Sequence, residues 1–222
     1  MENFNSKILL QHAIKILKET PIKEHEWAIG GGTVLAYFYH HRLSKDIDIF
    51  IQDLQLLSSI SPRFNEQAEN AIDYDEMTNY ISLTYPEGKV DFISGAQLSR
   101  FQPQKRFFAG QYVYLEDPVE IVTKKIFYRG DQAKIRDIFD LTIVAATRSQ
   151  DLIETLKQYP EKVSLFYKQF HKIVNEHNFL KKIPEKNTIL PYGKSYTRRI
   201  IPICKSLEEA VNNKFYKCNF SR

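Results

Sequence analysis

Residues 27 to 51 read WAIGGGTVLAYFYHHRLSKDIDIFI, and the most informative pattern of the chain lies in this stretch. An apolar run and three glycines, Gly30 to Gly32, precede a helix-compatible segment from Thr33 to His41, and Asp46 and Asp48 then alternate with isoleucines. Side chains at i and i+2 of a strand point to one face, so we expect the two aspartates to project together. Two carboxylates this close repel each other unless a cation lies between them, and hard oxygen ligands suit Mg²⁺ or Mn²⁺.

The glycines provide the second half of the predicted site. Glycine tolerates positive φ, and a glycine turn that opens a helix presents unpaired N–H groups to an anion. We therefore predict that Gly31, Gly32 and Thr33 bind the phosphates of a nucleotide. The thirteen residues from 33 to 45 are enough for a helix and a return turn that bring these phosphates beside the two carboxylates.

A third acid lies further along the chain. Residues 80–85 and 90–93 are strand-like and are separated by the turn sequence PEGK, which predicts a hairpin. Asp91 is a lone acid in the second of these strands, where burial without a partner would be costly. That cost disappears if Asp91 faces the same cation as Asp46 and Asp48. The alternative is an edge-strand carboxylate that faces water.

Two blocks of the sequence resemble a known family. The order Gly-Gly, spacer, Asp-x-Asp resembles the DNA polymerase β-like nucleotidyltransferase superfamily, and GGTVL with HRLSKDIDIF is most similar to its AbiEii/AbiGii toxin group. The run PVEIVTKKIFYRGDQAKIRDIFDL resembles a second signature of that group. The matching residues of this run are Glu120, Lys125, Arg129, Arg136, Asp137, Asp140 and Leu141. The resemblance covers about residues 25 to 145.

This resemblance implies an activity and a biological setting. The expected reaction transfers an NMP from an NTP to an acceptor hydroxyl, with Asp46, Asp48 and Asp91 as catalytic residues and metal ligands. In the superfamily, the third carboxylate also takes the role of general base. The resemblance further implies a toxin of a bacterial toxin–antitoxin or phage-defence system, an RNA or tRNA acceptor, and a cognate antitoxin as partner.

The second block has its own physical logic. Lys125 is a cation that could reach a triphosphate tail and neutralise charge on the leaving pyrophosphate. Asp137 and Asp140 lie one turn apart on a predicted helix and share a face. Structural salt bridges between helices explain Arg136 and Asp137 as well as ligand binding does, and Asp140 could orient Lys125 or contact the nucleotide.

Cationic residues gather in the C-terminal third, with Tyr192 and Tyr196 among them. A basic face with exposed aromatics suits an RNA acceptor, and a solvated helical face is the competing interpretation. The cationic residues are Lys181, Lys182, Lys186, Lys194, Arg198, Arg199 and Lys205.

The pattern of predicted elements gives an α/β (α+β) fold. We expect a nucleotidyltransferase core over residues 1–116, with a small mixed sheet flanked by helices, and a mostly helical portion over residues 117–222. Helices are predicted at 5–19, 33–41, 63–71, 118–129, 132–147, 151–158, 160–178 and 206–216. Asp73, Asp75 and Glu76 fall in a stretch without alternation, which predicts a solvated loop.

Composition excludes some classes of protein. The 222 residues are 43% hydrophobic and 26% charged with a net charge of +4, and no apolar run approaches the length of a membrane span. The start of the chain does not resemble a signal peptide, so we expect a cytoplasmic protein without membrane contact. Cys204 and Cys218 lack histidines at zinc-site spacing and are interpreted as free thiols. The histidines show no catalytic spacing.

Two other functions remain open. The same chemistry could act on a small molecule, such as an aminoglycoside hydroxyl, and an acidic cleft would favour that acceptor whereas a basic one would favour RNA. Alternatively, the chain could be a catalytically silent relative that binds a nucleotide or a partner protein. The intact Asp46, Asp48 and Asp91 argue against the silent relative.

Overall fold

The structure, a computed structural model, describes residues 4–176, 179, 182–183 and 188–213. The chain divides into two compact units, and the first contains residues up to Phe38, Ser44–Gln97 and Phe101–Asp117. The second contains Tyr39–Leu43, Leu98–Arg100 and the chain from Pro118 onward. Some residues named above lie outside the described ranges: Lys181, Lys186, Cys218, residues 177–178 of the helix predicted at 160–178, and residues 214–216 of the last predicted helix.

A seven-stranded mixed sheet forms the centre of the first unit. The strand order is β3-β4-β5-β2-β1-β7-β6, where β1 runs parallel to β7 and β2 parallel to β5, and the other neighbours are antiparallel. This arrangement confirms the predicted α/β fold class. The strands are β1 (Trp27–Gly30), β2 (Ile47–Ile51), β3 (Asp73–Met77), β4 (Tyr80–Tyr85), β5 (Gly88–Ser94), β6 (Gln104–Phe108) and β7 (Gln111–Leu115).

Strand β2 lies at the centre of the sheet, and the alternation that predicted it separates a buried face from a half-buried one. Ile47, Ile49 and Ile51 are fully buried, whereas Asp48 lies half-buried on the opposite face. Helix α1 (Phe4–Lys18) packs its apolar stripe against β2 and β5. The stripe contains the fully buried Leu9, Leu10, Ala13 and Ile16. The isoleucine face of β2 therefore packs in the core, and the candidate site can form only on the opposite face, which carries Asp48.

Helix α2 (Gly31–Tyr39) begins two residues earlier than predicted. Gly31 has φ +67°, a conformation that glycine adopts without the steric penalty of a side chain. The chain therefore passes from β1 into α2 without an intervening loop, and the first turn of the helix stands at the end of the strand.

Two predictions for residues 63–76 were wrong. The helix expected at 63–71 is replaced by turns and a short 3-10 turn, Ala68–Asn70. Asn65 explains the difference, because its side-chain oxygen accepts hydrogen bonds from the backbone N–H groups of Gln67 and Ala68, both at 3.1 Å. The expected loop that carries Asp73 and Asp75 is strand β3, which pairs with β4 at the edge of the sheet.

Helices make up most of the second unit. The described helices are α3 (Pro118–Arg129), α4 (Ile135–Leu156), α5 (Pro160–Val174), α6 (Pro191–Lys194) and α7 (Ile200–Asn212). Helix α4 joins the two helices predicted at 132–147 and 151–158, with a kink at Arg148, where φ is −135° and ψ is 40°. The buried carboxylate of Glu120 accepts hydrogen bonds from the N–H groups of Leu98 and Ser99, which fixes that short segment on α3.

Helix α5 allows a direct test of the core of the second unit. Phe170 is fully buried, and Leu165, on the same helix, is 41% exposed. We expect Phe170→Ala to lower the free energy of unfolding by about 3–5 kcal/mol, because it removes apolar packing and leaves a cavity. Leu165→Ala should change it by no more than about 0.5 kcal/mol. Urea denaturation measures both, and equal effects would contradict the assigned core.

Candidate active site

The sheet register brings Asp48 and Asp91 together. Asp48 of β2 is the direct partner of Asp91 of β5, Gly30 of β1 is the partner of Asp48, and Ser82 of β4 is the partner of Asp91. Direct partners on neighbouring strands project to the same face, at a strand spacing of about 4.8 Å. Two of the three predicted acids are therefore neighbours in one row that crosses four strands.

The environment of Asp91 disfavours the charged form of its carboxyl group. Burial raises the pKa of the Asp91 carboxyl, and the charges of Asp48 and Asp46 raise it further. The Ser82 hydroxyl, which donates a hydrogen bond to Asp91 Oδ1 at 2.5 Å, and the charge of Lys89 act in the opposite direction without cancelling the shift. The raised pKa of Asp91 therefore reflects its burial first and the neighbouring negative charges second.

Asp46 lies just before β2 and is tied to two other elements. Its Oδ1 accepts a hydrogen bond from the backbone N–H of Lys89 at 3.1 Å, and its backbone carbonyl accepts one from the Thr33 hydroxyl. The hydroxyl of Thr33, predicted to bind phosphate, thus connects the first turn of α2 to the aspartate strand. Any contact of Thr33 with a phosphate would come from its N–H group.

The glycine turn lies directly against Asp48. A Cβ atom at Gly31 would overlap Asp48 Oδ2, so the missing side chain is what lets this carboxylate reach the N-terminal turn of α2. At Gly30, a Cβ atom would overlap Glu116 Oε2 and lie 2.8 Å from the ring of Phe50. Gly31, Gly32 and Thr33 are all buried. Negative charge is favoured at the N-terminus of a helix, where the first N–H groups lack intrahelical partners.

Lys125 belongs to the second unit, where it is paired. Its Nζ lies 2.9 Å from Asp137 Oδ1 and 2.8 Å from Asp140 Oδ2, and its side chain is almost completely buried. Burial alone would lower the pKa of Lys125, but the charges of Asp140 and Asp137 outweigh it and raise the pKa. Of the two roles considered for Asp140, the bond from Lys125 Nζ to Asp140 Oδ2 fits the first, in which Asp140 orients Lys125.

Arg42 and His41 complete this cluster, and their part in it was missed from the sequence. Arg42 binds Asp140 through two bonds, Nε to Oδ1 at 2.7 Å and Nη2 to Oδ2 at 2.8 Å. His41 Nε2 lies 2.8 Å from Asp140 Oδ1, and the side chains of His41 and Asp140 are fully buried. A signal was present for Arg42, because it opens the Arg-x-Ser-x-Asp-x-Asp run. No local pattern indicated a partner 98 residues away.

The charge balance of the cluster keeps Asp140 ionised. Burial would raise the pKa of Asp140, but Arg42 and Lys125, together with hydrogen bonds from Arg42 and His41, hold it well below its ordinary value. A carboxyl with a depressed pKa stabilises the fold above its unfolded pKa of about 3.9, and this contribution is lost as pH falls through the folded pKa.

The described residues do not contain a ready-made metal centre. Within residues 4–176 and the shorter described segments after them, no three His, Cys, Asp or Glu side chains are grouped as ligands for one ion. The oxygen atoms of Asp48 and Asp91 nonetheless fit a hard cation. The two carboxylates are neighbours, and a divalent ion would relieve their mutual repulsion.

A family model matches residues 15–199 of the chain, which is most of its length, and its description is "Nucleotidyl transferase AbiEii toxin, Type IV TA system". The chain belongs to the AbiEii nucleotidyltransferase toxin family. This confirms the resemblance found in the sequence and supports transferase activity by a toxin. None of the curated proteins matches the chain.

Three solved structures resemble this AbiEii family member in part. A provisionally named nucleotidyltransferase from H. pylori has 16% identity and a TM-score of 0.45, and the match covers 93% of this chain and 95% of that one. The nucleotidyltransferase toxin MenT4 from Mycobacterium tuberculosis H37Rv has 15% identity and a TM-score of 0.46, covering 68% and 62%. An antigenic nucleotidyltransferase-like protein from Paracoccidioides brasiliensis has 15% identity and a TM-score of 0.40, covering 74% and 92%.

Hydropathy adds one further finding. Among the described helices, none combines the length and the apolar character that crossing a membrane requires.

Substitution of Gly31 tests the contact between the glycine turn and Asp48. Gly31→Ala adds backbone strain at φ +67° and pushes against the Asp48 carboxylate. The matched control is Gly110→Ala, which adds strain at φ +93° but faces only the flexible end of Lys7, at 3.3 Å. We expect the Gly31 variant to lose about 1–3 kcal/mol more free energy of unfolding than the control. Equal losses in urea denaturation would contradict the contact.

Substitution of Asp140 tests the buried cluster. Asp140→Asn leaves the charges of Arg42 and Lys125 buried with one acid fewer, so we expect a loss of about 3–5 kcal/mol in the free energy of unfolding at pH 7. The exposed Glu209→Gln is the control, with an effect within about 0.5 kcal/mol. The difference between wild type and Asp140→Asn should shrink progressively below about pH 4, because the stabilising contribution of Asp140 is lost as the pH falls from its unfolded pKa towards its depressed folded pKa. A pH-independent difference would contradict this account.

Proposed function

We propose that the chain transfers the NMP group of an NTP to a hydroxyl of an RNA acceptor, with tRNA as the first candidate. The observation that carries this proposal is the row in which Asp48 and Asp91 are direct neighbours, with the Asp48 carboxylate against the glycine turn that opens α2. A metal–nucleotide complex requires negative charge for the metal and positive charge for the phosphates. The carboxylates provide the first, and the N-terminus of the helix provides the second.

Asp46, Asp48 and Asp91 would hold Mg²⁺ or Mn²⁺. When bound, such an ion neutralises charge on the phosphates and lowers the pKa of a coordinated hydroxyl. The residues contribute the oxygen donors and their placement: Lys89 N–H holds Asp46 through Oδ1, and Ser82 holds Asp91 through Oδ1.

Asp91 is the proposed general base. A carboxyl whose pKa is raised by burial and by neighbouring acids accepts a proton more readily than an ordinary aspartate. In this role, Asp91 takes the proton from the acceptor hydroxyl as that oxygen attacks the α-phosphate, and pyrophosphate carries away the displaced electron pair.

The first turn of α2 is the proposed binding site for the triphosphate. Gly31, Gly32 and Thr33 would contribute backbone N–H groups, since the Thr33 hydroxyl is used by the Asp46 carbonyl. Lys125 is proposed to meet the leaving pyrophosphate. Because its Nζ is bonded to Asp137 and Asp140, that role would require Lys125 to exchange at least one of these partners.

The family description places these proteins in type IV toxin–antitoxin systems. We therefore propose that this chain arrests growth in the cytoplasm, where NTPs and RNA are found, and that a cognate antitoxin opposes it.

The experiment is a labelling assay with each α-³²P NTP, Mg²⁺ and total cellular RNA. We expect the wild-type chain to label an RNA from one preferred NTP. Asp48→Ala should reduce transfer by at least about 1000-fold and abolish toxicity, since an acid at the reacting centre is removed. Asp73→Ala, an exposed acid on the edge strand β3, is the control and should retain activity.

Retained transfer by a folded Asp48→Ala variant would refute the assignment. Label that appears on a small molecule and on no RNA would support the proposed chemistry but overturn the proposed acceptor.

A further inference from the structure

Residues 188–205 of the second unit form a surface that the proposed chemistry does not use. Thr188 and Leu190 hold this segment on the backbone of residues 41–43, through a 2.8 Å bond from Leu43 N–H to Thr188 and a 3.0 Å bond from Leu190 N–H to His41. Gly193 packs so closely that a Cβ atom there would overlap the His41 carbonyl oxygen. The start of α6 is therefore anchored on a buried part of the second unit.

Two tyrosine rings and an arginine side chain contact one another on this segment. The rings of Tyr192 and Tyr196 have centroids 5.3 Å apart, and their hydroxyls are hydrogen-bonded at 3.0 Å. The guanidinium of Arg199 lies over the Tyr196 ring, 5.4 Å from its centroid. Tyr192 remains 45% exposed. A large exposed ring whose orientation is fixed by a neighbour is a suitable surface for stacking.

The same segment carries several exposed cations. The sequence from Pro191 to Lys205 contains four cations and no acid. All four, Lys194, Arg198, Arg199 and Lys205, are exposed. In the described part of the chain, none of them has a carboxylate within ion-pair distance. Exposed cations of this kind are available to neutralise phosphates.

We propose that this surface, the tyrosine–arginine platform, binds the single-stranded part of an RNA acceptor. An unpaired base stacks on Tyr192, and the four cations contact the flanking phosphates. The combination of a stacking ring with unpaired cations matches single-stranded RNA, because every base has a flat face and every linkage a charge. Paired bases in a helix have no face free for stacking. This inference rests on the proposed RNA acceptor and adds the surface that selects it.

Binding to a 5′-fluorescein-labelled, unstructured 20-nucleotide RNA tests the platform without NTP. Fluorescence anisotropy with the full chain should show about 5-fold to 20-fold weaker binding for Tyr192→Ala, because the stacking ring is removed. Tyr192→Phe keeps the ring and should bind within about twofold of wild type. Circular dichroism and thermal melting establish that each variant is folded.

Charge reversal gives a second readout. Arg198→Glu with Arg199→Glu should weaken binding at least about 10-fold and lower the slope of log Kd against log salt by about 0.7 for each phosphate that the variant no longer neutralises. The matched control is Lys168→Glu with Lys172→Glu, two exposed cations of α5 in the same unit. The control should bind less than about threefold more weakly and keep the wild-type slope.

The outcomes separate this inference from the proposed function. Asp48→Ala should bind the RNA as wild type does, although it no longer transfers label. If wild type labels RNA and the platform variants still bind it normally, the platform is overturned and the proposed function stands. If wild type binds no RNA, the platform is also overturned, and the surface would then be a candidate binding site for a partner of another class, such as a protein.

Discussion

The contact between the Asp48 carboxylate and the bare backbone of Gly31 is the constraint on which the candidate site depends. It requires a residue without Cβ, a positive φ at that residue, and a strand register that places Gly30 opposite Asp48. On the other side of β2, strand β5 runs parallel to it and places Asp91 beside Asp48. The isoleucines on the other face bury β2, so the carboxylates stay on the face away from α1.

The second unit depends on a different interaction, the convergence of Arg42, His41 and Lys125 on Asp140. A carboxylate buried this deeply is tolerated only because cations and hydrogen-bond donors surround it. Arg42 belongs to the first family signature, and Lys125 and Asp140 belong to the second. The two signatures, which are about 80 residues apart in the sequence, therefore supply one buried charge cluster.

Much of the fold and part of the site could be predicted from local patterns. The alternation around Asp48 predicted β2 from the period of a strand. The cost of burying the lone Asp91 in an apolar strand predicted that it faces the same site as Asp48. Strand β3 could not be found this way, since its side chains are mostly exposed and its stability comes from backbone pairing with β4. The Arg42–Asp140 pair was also out of reach, because tertiary contacts across 98 residues leave no periodic trace.

Manganese binding, followed by electron paramagnetic resonance, would show whether Asp48 and Asp91 hold a metal ion together. The full chain would be titrated with Mn²⁺ in the presence of a non-hydrolysable NTP analogue, beside an Asp91→Asn variant. We expect wild type to bind Mn²⁺ in a nucleotide-dependent way. The variant should bind Mn²⁺ more weakly by at least about 10-fold to 100-fold, because removal of an outer-shell partner alone already costs that much metal affinity. Equal binding by the two proteins, or none by wild type, would contradict the claim that Asp48 and Asp91 hold a metal–nucleotide complex at the glycine turn.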